Sequence, residues 1–365
     1  MKGEFYRNFL AFSGAKRKKN LSRLNRRSFL KTTSLAIAGL SVPRNVCFGR
    51  PKPVFPPPAG EALVSIVRRP DIEDMVRTAI DLAGGFHEIN PGETVVIKPN
   101  ITCRSNPDFD GIRVVTSPDV LRSVIRAVKE RTDRTNITVA DACAFGFSTR
   151  EAARSYGLYD VCLEEGVNFS GWEEEKYISF THKGFFHVRS KRKIPASLSS
   201  FNHFINVPIL KNHEMVPFSN AGYTCCLKNF VGLISPYNRL DLHTRDLGEK
   251  VAELNLCVPN ITMNIVDALT VILTDGPAGS AMDIANPGLV LASKDRVACD
   301  SLALAVLKYY ASRQGIERDY VHQSVWEQSQ IRRASQLGLG RVNPDLINII
   351  GDGVEEIEGL IQQWC

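Results

Sequence analysis

Short β-branched runs that stop on a charged or polar residue recur along this chain, and they constrain its fold more than any other feature. Val95-Val96-Ile97 closes on Lys98-Pro99-Asn100, Ile137–Ala140 closes on Asp141, and Ile261–Val266 closes on Asp267. Phe204-Ile205-Asn206-Val207-Pro208-Ile209-Leu210 closes on Lys211, Asn212 and His213. Runs of this length and branching read as strands buried on both faces. Ala62–Val67 and Gly288–Ala292 have the same character. Helix signals lie between them. Asp71 is placed to cap a helix carrying Ile72, Met75, Val76, Ile80 and Leu82 on one face, ended by Gly84-Gly85. Ser117 precedes a helix Pro118–Arg131 with proline in its first turn. Thr149–Tyr156, Leu247–Leu256 and a long apolar helix after Asp295 follow. Strands alternating with helices predict an α/β fold: a mainly parallel sheet flanked by helices, in one lobe or two.

The first fifty residues stand apart. Asn25-Arg26-Arg27-Ser28-Phe29-Leu30-Lys31 precedes a short apolar run, Leu35 to Val42, which reads as a twin-arginine export leader over residues 1–50. The export machinery is then a partner, and the mature protein is periplasmic or otherwise extracytoplasmic. The run is far short of the roughly 20 residues that a membrane span needs, so no span is expected in the mature chain. Residues 1–53 hold 13 of the 45 Lys and Arg but one of the 39 acidic residues, leaving the remainder at −6. The basic pI therefore belongs to the leader, and nucleic acid is not an expected partner. A proline-rich linker at 51–60, an α/β domain at 61–312 and a C-terminal helical extension at 313–365 complete the expected division.

In parallel sheets, ligands bind in the crevice beyond the strands' carboxyl ends. The residues there are Lys98 and Asn100, Asp141, Lys211 and His213, and Asp267, with Lys228 and Asn229 following in Thr224–Gly232. Lys98, Lys211 and Lys228 supply positive charge for an anion, and Asn100 and Asn229 supply donors. His213 and Asp141 are the candidates for moving protons, alone or beside a metal. His243 is a second candidate histidine. The nine cysteines contain no C-x-x-C, so neither a zinc ribbon nor a ferredoxin-type cluster is expected from spacing. No GxGxxG or P-loop is present either.

Several of these segments together resemble the domain of unknown function 362 family. They are VVIKPN (95–100), TSPDVLRSVIRAV (116–128), VADA (139–142), FINVPILKNHEM (204–215), TCCLKNFVGLI (224–234), IVDAL (265–269), DGPAGS (275–280) and LVLASKDRVACDSLAL (289–304). The resemblance spans about residues 62–310 and implies an α/β domain. It also implies a metal or iron–sulfur association in some members, sometimes behind a twin-arginine leader.

Two functions fit these residues. One is an exported enzyme, an isomerase, lyase or redox catalyst, that acts on a small anionic molecule. The other is a non-catalytic protein of the cell envelope that holds an anionic ligand or a metal cofactor.

Overall fold

The computed structural model describes residues 52–56, 58–105, 112–144, 146–213, 222–239, 241–242, 245–276 and 282–352. The expected leader and His243 lie outside the described residues. Among the described residues, thirteen strands can be followed in chain order. They are β1 (Ala62–Val67), β2 (Val95–Pro99), β3 (Ile137–Asp141), β4 (Asn168–Gly171), β5 (Tyr177–Phe180), β6 (Arg192–Pro195) and β7 (His203–Val207). Then come β8 (Ile209–Asn212), β9 (Tyr223–Thr224), β10 (Met263–Ile272), β11 (Ile284–Ala285), β12 (Leu289–Ser293) and β13 (Ile347–Ile350). The helices are α1 (Ile72–Leu82), α2 (Pro118–Lys129), α3 (Thr149–Ser155), α4 (Leu158–Glu165), α5 (Leu247–Leu254), α6 (Arg296–Arg313), α7 (Asp319–His322) and α8 (Ser329–Gln336).

Eleven strands form one mixed, mostly parallel sheet with the path β13-β1-β12-β10-β7-β2-β3-β4, and β5 pairs with β6 apart from it. The main departure from parallel is β12, antiparallel to both β1 and β10. Strand residues are buried on both faces: Val95, Val96 and Ile97 have no exposure at all. Val95, Ile97, Val139 and Ile205 pack on the α1, α2 and α4 side, while Val96, Ala140 and Phe204 pack on the α5, α6 and α8 side. This is the alternation that a two-residue strand period imposes.

Local signals place the helices as expected. Asp71 accepts the Asp74 N–H and caps α1, and Asp295 accepts the Val297 and Ala298 N–H groups and caps α6. Ser117 behaves differently: its side chain makes no capping bond, and its own N–H donates to Asp267 Oδ2 at 2.7 Å. A buried carboxylate thus sits at the positive end of α2. One other expectation changes. The strand expected to stop before Asp267 runs on to Ile272, so Asp267 lies within it. Lys228 and Asn229 follow the short β9 and open a tight 3-10 turn, Lys228–Leu233. The C-terminal segment carries α7 and α8 and also β13, which pairs in parallel with β1.

One topological fact positions the site. From β2 the chain moves outward through β3 to β4, then returns to lay β7 against the other edge of β2. The order reverses between β2 and β7. In open α/β sheets the crevice at such a reversal is where ligands bind. Lys98 and Asn100 stand at the end of β2, and Lys211 on β8 continues β7 past Pro208.

Candidate functional site

Lys98 and Asp141 form the floor of this crevice. Lys98 shares a face with Val96, and its side chain is fully buried. Its ammonium donates to Asp141 Oδ1 at 2.6 Å, to the Pro99 carbonyl at 3.2 Å and to Asn229 Oδ1 at 3.3 Å. Asp141 Oδ2 accepts the Ile101 N–H at 2.7 Å, and its Oδ1 also accepts the Ala142 N–H at 2.8 Å. Burial lowers the Lys98 pKa from its ordinary value, and the Asp141 charge opposes that shift. The Trp172 ring lies 5.8 Å from the Lys98 nitrogen. Gly232 closes the other side: a Cβ there would sit 2.2 Å from Asp141 Oδ1 and 2.7 Å from Lys98 Nζ.

Asn100 and Asn229 connect this pair to Lys211. Asn100 donates through Nδ2 to Asn229 Oδ1 at 2.9 Å, and its Oδ1 accepts from Lys211 Nζ at 2.9 Å. Lys211, 1% exposed, also donates to Thr102 Oγ1 at 2.9 Å and to the Val114 carbonyl at 2.5 Å. None of those acceptors carries charge. Burial brings the Lys211 pKa down to about 8. Asn229 donates to Asn206 Oδ1 at 2.8 Å, and Asn206 donates to Asn264 Oδ1 at 3.0 Å, extending a buried polar row across β7 and β10.

Lys228 differs from the other two lysines. It is 4% exposed, and among the described residues nothing accepts a hydrogen bond from its ammonium. Burial, with the Lys211 charge adding to it, pushes its pKa well below the ordinary value. An ammonium has three protons to donate. Lys98 and Lys211 each place three hydrogen bonds, so their donors are used up; those of Lys228 are not.

Arg239, which the sequence did not single out, is the fourth buried cation of the crevice among the described residues. It donates to the carbonyls of Ile234 at 2.8 Å, Cys143 at 2.6 Å, Ala142 at 2.8 Å and Gly232 at 3.2 Å. Its guanidinium pKa is lowered by burial, and the Asp141 charge opposes that. Nothing local marks it, because its carbonyl partners lie up to 97 residues away. Gly232 was legible only as a glycine in an apolar run.

His213 is half-buried beside the β8–β9 pairing, where its Nδ1 is 3.1 Å from Thr224 Oγ1. Asp267 is held by the Ser117 and Leu269 N–H groups, and burial raises its pKa. It lines an open cleft with Arg113, Ser117, Ile209 and Thr270. Thr116 separates the two places, bonding to the Asn100 N–H and the Val207 carbonyl.

Cys225, Cys226 and Asp300 bring three potential metal-ligand atoms within 4.8 Å of one another. The donor chemistry fits a metal poorly. Asp300 already accepts from Tyr223 Oη at 2.5 Å, Leu227 N at 3.1 Å and Gln330 Nε2 at 3.1 Å. Burial holds both thiols protonated, pushing Cys225 up to about 12. The seven described cysteines are all free and buried. An iron–sulfur cluster takes about four thiolates around an open volume, and this packed trio with a saturated carboxylate does not offer them.

No curated protein sequence matches this chain. The structure is similar to the lactate racemase apoprotein from Thermoanaerobacterium thermosaccharolyticum, at 15% identity and a TM-score of 0.39. That match covers 67% of this chain and 55% of the other. Among the described residues no helix is long and apolar enough to cross a membrane. The family model described as "Domain of unknown function (DUF362)" matches residues 95–305, from the strand that carries Lys98 to the first half of α6, and the chain belongs to that family.

Proposed function

We propose that this protein binds a small anionic molecule in the crevice between β2 and β7, exported behind its arginine-pair leader. One observation carries the reading: Lys98, Lys211, Lys228 and Arg239 are all buried, and among the described residues Asp141 is the buried carboxylate bonded to one of them, with the charge of Glu173 also acting on Arg239. Removing a charge from water costs several kcal/mol unless it is paired, on the order of the value of a broken buried ion pair. A cluster with such an excess of positive charge is stabilised by an anion. Lys228 makes the direct contact, because among the described residues nothing accepts from its ammonium. Lys98, Lys211 and Arg239 supply the field and hold the walls rigid through their saturated hydrogen bonds. His213 is the residue whose replacement separates an enzyme from a binding protein.

Thermal unfolding of the purified mature chain tests this with phosphate, malonate and 2-oxobutyrate, at low and high sodium chloride. Binding to the folded state raises the midpoint, and salt weakens the effect. Lys228→Met removes the anion-dependent rise, and Lys193→Met, at an exposed position of β6, leaves it intact. An equal rise in Lys228→Met overturns the reading. With a turnover assay in hand, His213→Ala abolishes turnover and keeps the anion effect if the protein is an enzyme using that histidine.

A further inference from the structure

We propose that Lys228 is a nucleophilic amine that forms an imine with the carbonyl group of a small oxo acid. The inference rests on the anion-binding reading above and names the anion's class. A lysine that only paired with an anion would resemble Lys211, anchored by neutral acceptors and holding its charge in place. Lys228 has no such anchors: it is 4% exposed, and among the described residues no oxygen accepts from it. The charge that acts on it is another cation, Lys211. The carboxylate of the cluster, Asp141, is engaged by Lys98 at 2.6 Å and by two backbone N–H groups. Desolvation and a neighbouring cation are the two means by which a lysine is kept as the free amine at neutral pH. Its pKa is lowered well below the ordinary value for that reason.

With Lys228 neutral, Lys98 and Lys211 still outnumber the buried carboxylate Asp141, so the crevice retains its attraction for a carboxylate. A ligand that satisfies both features carries a carboxylate for the field and an electrophilic carbon for the amine. The lone pair of Nζ attacks the carbonyl carbon, and the C=O π pair moves to oxygen. Both amine protons pass to that oxygen, the C–O bond breaks, and the oxygen leaves as water. Amine and carbonyl give imine and water, with no change of oxidation state. The protonated imine withdraws electrons from the adjacent carbon, which suits proton exchange or C–C cleavage there.

The test is reductive trapping of the mature chain with 2-oxobutyrate and sodium cyanoborohydride. Hydride reduction of C=N leaves a stable secondary amine, and the protein gains the mass of the oxo acid less one oxygen atom. Peptide mapping should place the adduct on Lys228. The free-amine fraction of an exposed lysine falls about tenfold per pH unit below its pKa near 10.4. Because Lys228 is held well below that value by burial, the ratio of Lys228 adduct to surface-lysine adducts should rise as the pH falls from 8 to 6. Lys228→Arg should lose the adduct. Mapping in the unaltered protein keeps the test valid even if that variant does not fold. Absence of a Lys228 adduct with the thermal shift intact overturns the imine and spares anion binding; loss of both overturns both. Equal labelling by neutral 2-butanone overturns the oxo-acid class.

Discussion

Lys98 on β2 and Asp141 on β3 meet through a 2.6 Å bond with both side chains almost wholly shielded from water, and Gly232 packs directly against the pair. The rest of the crevice is arranged around that contact: Asn229 bonds to Lys98, Asn100 to Asn229, and Lys211 to Asn100. The pair joins Lys98 to a carboxylate, whereas Lys211 is held by neutral oxygens instead.

Removing the carboxylate should therefore cost more than removing both partners. Asp141→Leu strands the Lys98 ammonium, and breaking a buried pair in this way costs about 3–5 kcal/mol. The double variant Lys98→Met/Asp141→Leu should recover part of that loss. Urea denaturation of the two proteins checks it, and a single variant within about 1 kcal/mol of the parent would contradict the arrangement.

Gly232→Ala should destabilise the protein although alanine is the smallest change available. The new Cβ would lie 2.2 Å from Asp141 Oδ1, 2.7 Å from Lys98 Nζ and 2.9 Å from Lys98 Cε. Overpacking of this kind costs typically about 1–3 kcal/mol. Because the displaced atoms belong to the crevice floor, the anion-dependent rise in melting temperature should shrink in the same variant.

Lys211 should leave a signature at alkaline pH. It titrates at about 8 in the fold and near 10.4 in an unfolded chain. Between those values the unfolded state holds more protons, so this residue makes stability rise as pH rises from about 8 to about 10.4. Below that window both states are protonated, and the cost of burying the charge is fully present. Lys211→Met should flatten this part of the stability profile, measured by urea titrations across the window.

Asp300 should act with the opposite sign in acid. Burial raises its pKa from 3.8 to about 6, against the bonds from Tyr223, Leu227 and Gln330. Between those values the folded state holds more protons than the unfolded one, so this group makes stability fall as pH rises. Asp300→Asn cannot ionise and should lose that slope. An unchanged profile between about pH 4 and 6 would place the titration elsewhere.

The proposed export leader makes a separate prediction. Arg26→Lys with Arg27→Lys should hold the full chain inside the cell, because twin arginines before a short apolar run are read by the export machinery. Cell fractionation checks this, and normal export of the double variant would remove the basis for an extracytoplasmic protein.

The strands that carry the site and the helices with a clear cap were legible in the sequence, because each of those signals is local. Thr94–Ile97 and Ile137–Ala140 are apolar on both sides, and both become central strands; Asp71 and Asp295 precede apolar periodicity and both cap helices. The sequence also determined that lysines cluster at strand ends, and Lys98, Asn100, Asp141, Lys211 and Asn229 do converge in one hydrogen-bonded network. Tertiary structure alone decided what each of them does there. Lys98 and Asn229 are 131 residues apart, Lys211 and Asn100 are 111 apart, and Arg239 reaches the Ala142 carbonyl across 97. A hydrogen bond is satisfied by whatever the fold brings within about 3 Å, and chain spacing carries no record of that distance. Hence three lysines that look alike in sequence differ in the fold: one paired with a carboxylate, one saturated by neutral oxygens, and one buried with no acceptor among the described residues. The same reason moved Asp267 from a strand end to the N-terminus of α2, where a backbone N–H 150 residues away claims its carboxylate.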